Sequence, residues 1–388
     1  MLTKLQEYEN RKADLIATTG HQEPQYVPVM LDVISWPIAY QKKKTADLIK
    51  DADLMIRTFT KTLREIYCDC ITSAGIPYPL VALNILGGKG YFISEDEVTI
   101  QHTQNCTMEA EEYGELIRDT ENFILNILPK RKFSNLNGSD NENYAVLKNA
   151  IMAFSKHMEA AGKLSAALQN ELGVVAICGG RTKAACDTMF DRIRGFRETI
   201  FDMKRKPDEL LTALEHVFEV YGNPGLEKLR ENGSTVPFPF TACHAVPFIR
   251  KSDFEKFWWP TYKKVVDPII AEGGRIFMKS EGRCGHILDV LKDCPKSSFI
   301  LQLDMEDDPY KVYEKIGDHA TIACGITTNQ LKCLSKQECL DIAKKAIDTF
   351  APGGGFIFTT DKPLISENDV NPENLFAVYQ FAHEYGKY

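Results

Sequence analysis

The chain has 388 residues, 44% of them hydrophobic, and a formal charge of -8, enough apolar material for one large barrel or two ordinary domains. Lys and Arg are interleaved with Asp and Glu, which leaves no basic face for a phosphate backbone and argues against nucleic acid as a partner. No run approaches the roughly 20 apolar residues of a bilayer span, and Met1 to Asn10 is polar rather than a leader, which points to a cytoplasmic protein. The eleven cysteines show no repeated framework and are expected to be reduced, a thiol count compatible with an anaerobic cell.

Along the chain, short β-branched or aromatic runs end abruptly in polar residues: Tyr26 to Ile34, Cys68 to Ala74, Val174 to Gly179, Val236 to His244, Arg275 to Glu281, Ser298 to Asp304, Thr321 to Cys324 and Gly355 to Thr360. Stretches of helical length, such as Asp308 to Ile316 and Lys336 to Phe350, separate the later runs. This alternation predicts βα units, and eight runs suit a (β/α)8 TIM barrel occupying 1–388 as one domain. From about Gly75 to Leu172 the pattern changes. A hairpin is predicted over Gly88 to Gln104, from the alternation of Tyr91, Ile93, Val98 and Ile100, followed by helices and a polar loop at Ser134 to Asn143. This stretch is expected to be an insertion capping the barrel mouth. Gly222 to Ser234 is predicted as a second loop. Phe254, Phe257, Trp258, Trp259 and Tyr262 have the spacing of a packed helix. Gly353-Gly354-Gly355 lacks the Lys-Ser/Thr of a P-loop and is predicted as a tight turn.

Barrel active sites lie at the C-terminal ends of the strands, so the residues ending the runs are the candidates: Asp32, Asp69, Arg181, His244, Glu281, Asp304, Cys324 and Asp361. Asp32 and Asp69 either cap backbone N–H groups or contact substrate or corrinoid, with Arg181 as a third substrate-binding group. His244 is a core histidine, a ligand or an acid–base group. Glu281 suits a metal ligand or a general acid or base. Asp304 precedes Glu306, Asp307 and Asp308, which favour the positive end of a helix. Cys324 is either an inert core thiol or a zinc thiolate. Cys284 and His286 lack the paired spacing of a zinc site, and Cys68-Asp69-Cys70 splits its side chains between opposite faces of a strand.

Pro28-Val29-Met30 with Asp32, Met108 to Tyr113 with Leu116-Ile117, Phe254 to Pro260, Glu281-Gly282, Gly317-Asp318-His319, Gly353 to Phe358 and Asn371 to Asn374 occur in an order that resembles the uroporphyrinogen decarboxylase-like superfamily. The resemblance spans essentially the whole chain and implies the same barrel. Its uroporphyrinogen decarboxylases grip a tetracarboxylate with arginines in a motif like Arg-Gln-Ala-Gly-Arg, where this chain has Met30-Leu31-Asp32-Val33-Ile34; that departure argues against a porphyrinogen substrate. Its methyltransferases pass a methyl group to or from a corrinoid protein, usually with zinc on a His-x-Cys and a later Cys. Those positions here read Lys279-Ser280-Glu281 and Asp361-Lys362. The chain is more similar to members that demethylate aromatic methyl ethers with a carboxylate and cysteines. Carried over, Glu281 and Cys324 become metal ligands, with Asp361, Asp304 or His244 as the third.

The resemblance thus implies a methyltransferase that moves a methyl group from a small methylated substrate, such as a methoxylated aromatic, to the cobalt of a corrinoid protein. Glu281, His244 and Asp304 are its expected catalytic groups. With zinc, Lewis-acid coordination would stabilise the leaving oxygen; without it, a protonated Glu281 or His244 would donate to that oxygen. Two alternatives belong to other classes: a decarboxylase or other lyase, with Arg181 holding a carboxylate, and a barrel that binds corrinoid or substrate without turnover.

Overall fold

The computed structural model describes residues 2–73, 75–103, 106–222 and 235–388. The predicted loop at Gly222 to Ser234 therefore lies outside the described residues except at Gly222.

The apolar runs form β1 (Met30–Leu31), β2 (Cys70–Ile71), β5 (Val175–Ala176), β6 (Cys178–Arg181), β7 (Phe238–Cys243), β8 (Ile276–Ser280), β9 (Phe299–Gln302), β10 (Thr321–Ile326) and β11 (Phe356–Thr360); β3 (Tyr91–Ile93) and β4 (Ile100–His102) make the separate antiparallel hairpin. β5 and β6 are two halves of one wall. β5 pairs with β2, β6 pairs with β7, and between them the Ile177 N–H donates to Ile71 while its carbonyl accepts from Phe238. The pairings follow chain order and are parallel throughout, from β1-β2-β5 to β6-β7-β8-β9-β10-β11. The ring shuts where Val29 bridges Phe358 and the Phe358 N–H donates to the Pro28 carbonyl at 2.9 Å. The molecule is a (β/α)8 barrel, as predicted.

Strand side chains alternate between the barrel interior and the surrounding helices. Met30, Cys70, Val175, Ile177, Phe238, Phe277, Ile300, Ala323 and Ile357 form one apolar cluster inside the barrel, joined by Leu15 of the helix Lys4–Thr19. That helix closes the N-terminal end: the Thr18 hydroxyl donates to the Phe356 carbonyl, and the Gly355 N–H donates to the Thr18 carbonyl. Close approach there requires glycine, because a Cβ on Gly354 would lie 2.4 Å from the Gln22 carbonyl oxygen. The strands' other face packs on the helices in a second, larger core containing Phe254, Phe257, Trp258, Trp259 and Tyr262, so this aromatic group is structural, as its spacing predicts.

Between β2 and β5 the chain makes the hairpin and then the 33-residue helix Asp140–Leu172. The predicted loop at Ser134 to Asn143 is thus helical from Asp140 onward, because Ser139 and Glu142 form a reciprocal capping box that starts the helix. Among the described residues no helix is long and apolar enough to cross a membrane.

The interior cluster should carry much of the stability. Phe277→Ala, which opens a cavity there, is expected to cost about 3–5 kcal/mol in urea unfolding, whereas Phe248→Ala, exposed at the surface, should cost well under ~1 kcal/mol.

A candidate active site at the barrel mouth

One turn of strand above the apolar interior, the lining becomes polar. Asp32 follows β1, Thr72 follows β2, and Lys279 and Gln302 lie in β8 and β9, each two residues beyond an interior apolar residue. Their side chains converge. Asp32 accepts hydrogen bonds from the Lys279 ammonium at 2.5 Å, the Gln302 amide at 2.9 Å and the Thr72 hydroxyl at 2.7 Å. Asp32 and Lys279 are both buried. Burial pushes the Asp32 carboxyl up, but the Lys279 charge and the three hydrogen bonds outweigh it and hold it below the usual range. This pair is the floor of the mouth.

On one side of the floor, His244 at the end of β7 stands between two carboxylates: Nδ1 lies 2.8 Å from Asp191 and Nε2 lies 3.3 Å from Glu281, which follows β8. Lys183 pairs with the same Asp191 oxygen at 2.6 Å. Burial alone would lower the imidazole's pKa, but the two carboxylates reverse this and raise it to about 10, so the ring is an imidazolium at neutral pH. Glu281 is held below its ordinary value against the effect of burial, by His244 first and then Lys279, and Asp191 falls to about 2. Behind them Asp187 is fully buried; one oxygen accepts the Ala245 N–H at 2.8 Å and burial raises its pKa to about 6.

The neighbouring corner is set by a bulge. Register slips between Cys178 and Arg181, where Gly180 takes φ 74° and a Cβ on Gly179 would strike Pro237. Arg181 emerges exposed, 6.0 Å above the Phe240 ring and with no carboxylate ion-pair partner among the described residues. Tyr78 and Tyr91, stacked at 4.3 Å, feel its charge and that of Asp191. Tyr91 belongs to the hairpin, so the insertion contributes to this wall of the mouth.

Across the mouth, Asp304 and Asp361 are buried, and Lys362 approaches Asp304 at 3.8 Å. One Asp361 oxygen accepts the Thr328 N–H at 2.7 Å; the other is buried without a partner. Burial, reinforced by the Asp304 charge, raises the Asp361 pKa.

Two sequence candidates do not join this group. Asp69 precedes β2, at the opposite end of the barrel, where it accepts the Val29 N–H and the Tyr67 hydroxyl and pairs with Arg11 at 3.1 Å. There its contacts are with the protein itself, away from the mouth where the other candidates meet. Cys324 lies inside β10 between interior-facing Ala323 and Gly325, so its thiol faces the helical layer, where burial raises its pKa. It therefore cannot share a metal with Glu281 and Asp361. Nor do Asp191, His244 and Glu281 make a metal cage, since the carboxylates occupy opposite edges of the imidazole, and among the described residues no group of three His, Cys, Asp or Glu is placed to hold an ion. These residues do not fit the zinc that the resemblance implied.

Lys279 and Gln302 are not the terminal residues of their runs, but period-two alternation from Glu281 and Asp304 points directly to them. Asp191, on the helical segment after β6, carries no comparable signal.

A family model described as uroporphyrinogen decarboxylase (URO-D) matches residues 128–385. No curated protein matches the sequence significantly. Among solved structures, the fold is similar to a methyltransferase from Methanosarcina mazei, with a TM-score of 0.60 and 15% identity over 97% of this chain and 98% of that one.

Two measurements check the electrostatics. Asp32→Ala leaves the Lys279 ammonium buried and unpaired and is expected to cost about 3–5 kcal/mol in urea unfolding; a loss below ~1 kcal/mol would show that the ammonium has found other solvation. In an NMR titration, His244 should stay charged well past its ordinary pKa of about 6.5 and lose its proton near pH 10. Because the folded value is the raised one, its contribution to stability is full below about pH 6.5 and disappears as pH rises through about 10. A midpoint at the ordinary value would disprove the two-carboxylate clamp.

Proposed function

From the premise that the chain belongs to the uroporphyrinogen decarboxylase (URO-D) family, we propose that it is a methyltransferase that moves the methyl group of a methoxylated aromatic to the cobalt of a corrinoid protein. One observation carries the reading: His244, held at the mouth with a carboxylate on either edge. The methyltransferase from Methanosarcina mazei, whose fold the chain shares along its length, supports it.

When a methyl group leaves an aryl ether, the C–O electron pair stays on oxygen, which then needs a proton. Asp191 keeps Nδ1 engaged, so the transferable proton sits on Nε2, facing Glu281. Substrate oxygen entering between Nε2 and Glu281 receives that proton, leaving a neutral phenol and a neutral imidazole, which solvent reprotonates. Asp191, which stays on Nδ1, and the nearby Glu281 charge favour the protonated ring, so the proton is in place when the leaving oxygen needs it. The stacked Tyr78 and Tyr91 supply a face for the aromatic ring. The corrinoid protein supplies reduced cobalt, the nucleophile that accepts the methyl group.

Arg181, which has no carboxylate partner among the described residues, favours one further reading, a lyase that grips a carboxylate and releases carbon dioxide without a corrinoid protein. Incubation with methoxylated aromatics and reduced corrinoid protein, with carbon dioxide monitored in parallel, separates the two. Methyl transfer is expected in wild type. His244→Gln and Glu281→Gln should each lower it about 100-fold or more while the melting temperature stays within a few degrees. Turnover at the wild-type rate in both variants, or carbon dioxide release in place of methyl transfer, would sink the proposal.

A further inference from the structure

The helix Asp140–Leu172 has two apolar faces. One is satisfied: Ala150, Leu164 and Leu168 are buried, and the helix packs on Leu80–Ile85 and Ala52–Glu65. The other is not. Tyr144, Leu147, Ile151, Phe154 and Met158 are between 44% and 69% exposed. Their spacing alternates three and four residues, the 3.5-residue period with which one helix packs lengthwise on another. Together they expose roughly 500 Å² of side chain, at the upper end of what monomers leave uncovered.

We propose that this stripe is the seam of a dimer of the chain, formed by two antiparallel copies of the helix about a two-fold axis. An axis between residues 152 and 153 sets Tyr144 against Ala161 of the partner subunit, Leu147 against Met158 of the partner subunit and Ile151 against Phe154 of the partner subunit. Every facing pair is apolar, and the largest side chain meets the smallest. The charged residues of this stretch, Lys148, Lys156 and Glu159, fall at other helical positions. From Tyr144 to Ala161 the seam runs about 26 Å. Two stripes cover about 1,000 Å² in total, the lower bound of a specific interface, and a two-fold contact uses the same patch twice. The seam is independent of the reaction proposed above.

Sedimentation velocity of the full chain at micromolar concentration tests it. A two-chain species is expected for wild type. Ile151→Glu combined with Phe154→Glu, which brings like charges together across the axis, should give single chains and weaken association at least about 100-fold. Both residues are exposed, so the variant should keep the wild-type circular dichroism, and only the share of its melting temperature that rises with wild-type concentration should be lost. Lys156→Glu, off the stripe, should remain a dimer. Single chains in wild type, or a dimer that survives the double substitution, would overturn the proposal. So would a monomer whose stripe instead captures a corrinoid protein, because the occupant would then be a different one.

Discussion

A carboxylate and an ammonium buried in the middle of a protein can persist only as a pair, and the Asp32–Lys279 contact, 2.5 Å long, divides this barrel in two. Below it the interior is apolar and sealed by Leu15; above it Thr72, Arg181, His244, Glu281, Asp304 and Asp361 make the strand ends polar. Desolvation makes the pair costly to break, although it contributes little net stability of its own. Its position on β1 and β8, on opposite sides of the ring, ties the geometry of the floor to the shape of the whole barrel.

The electrostatics of the rim follow from that floor. Lys279 favours the ionised form of Glu281, Glu281 favours the charged form of His244, and His244 does the same for Asp191. The chain of alternating charge ends at Lys183. On the far side Asp304 and Asp361 repel each other and share only Lys362, so the Asp361 pKa moves the other way. The two sides of one mouth thus differ in proton affinity, the condition under which neighbouring groups take different acid–base roles.

Much of this was legible in residue patterns. Each of the eight apolar runs contains a barrel wall, the hairpin falls where Tyr91, Ile93 and Ile100 alternate, and Ser139-x-x-Glu142 marks a helix start inside the stretch whose polarity predicts a loop. Candidate residues were harder, because a run's last polar residue is not always a strand's last residue. β2 begins only at Cys70, since Asp69 is occupied with the Val29 N–H and Arg11. β10 continues two residues past Cys324, and the alternation that turns Ala323 inward turns Cys324 outward. His244, Glu281, Asp304, Asp361, Arg181 and Asp32 do lie at the mouth. Their partners Asp191 and Lys183 come from outside the strands, where no periodicity announces them.

Closure of the ring by Val29 and Phe358 has a consequence for folding. Val29 leads into the first barrel strand and Phe358 lies in the last, so this contact joins parts of the polypeptide far apart in sequence and carries a loop-closure cost that neighbouring strand pairs do not. Until it forms, Asp32 hangs from an unpaired edge and Lys279 has no counter-ion. Barrel closure and assembly of the mouth are therefore one cooperative event, and a local opening of the β11–β1 seam would dismantle the site before it unfolded the domain.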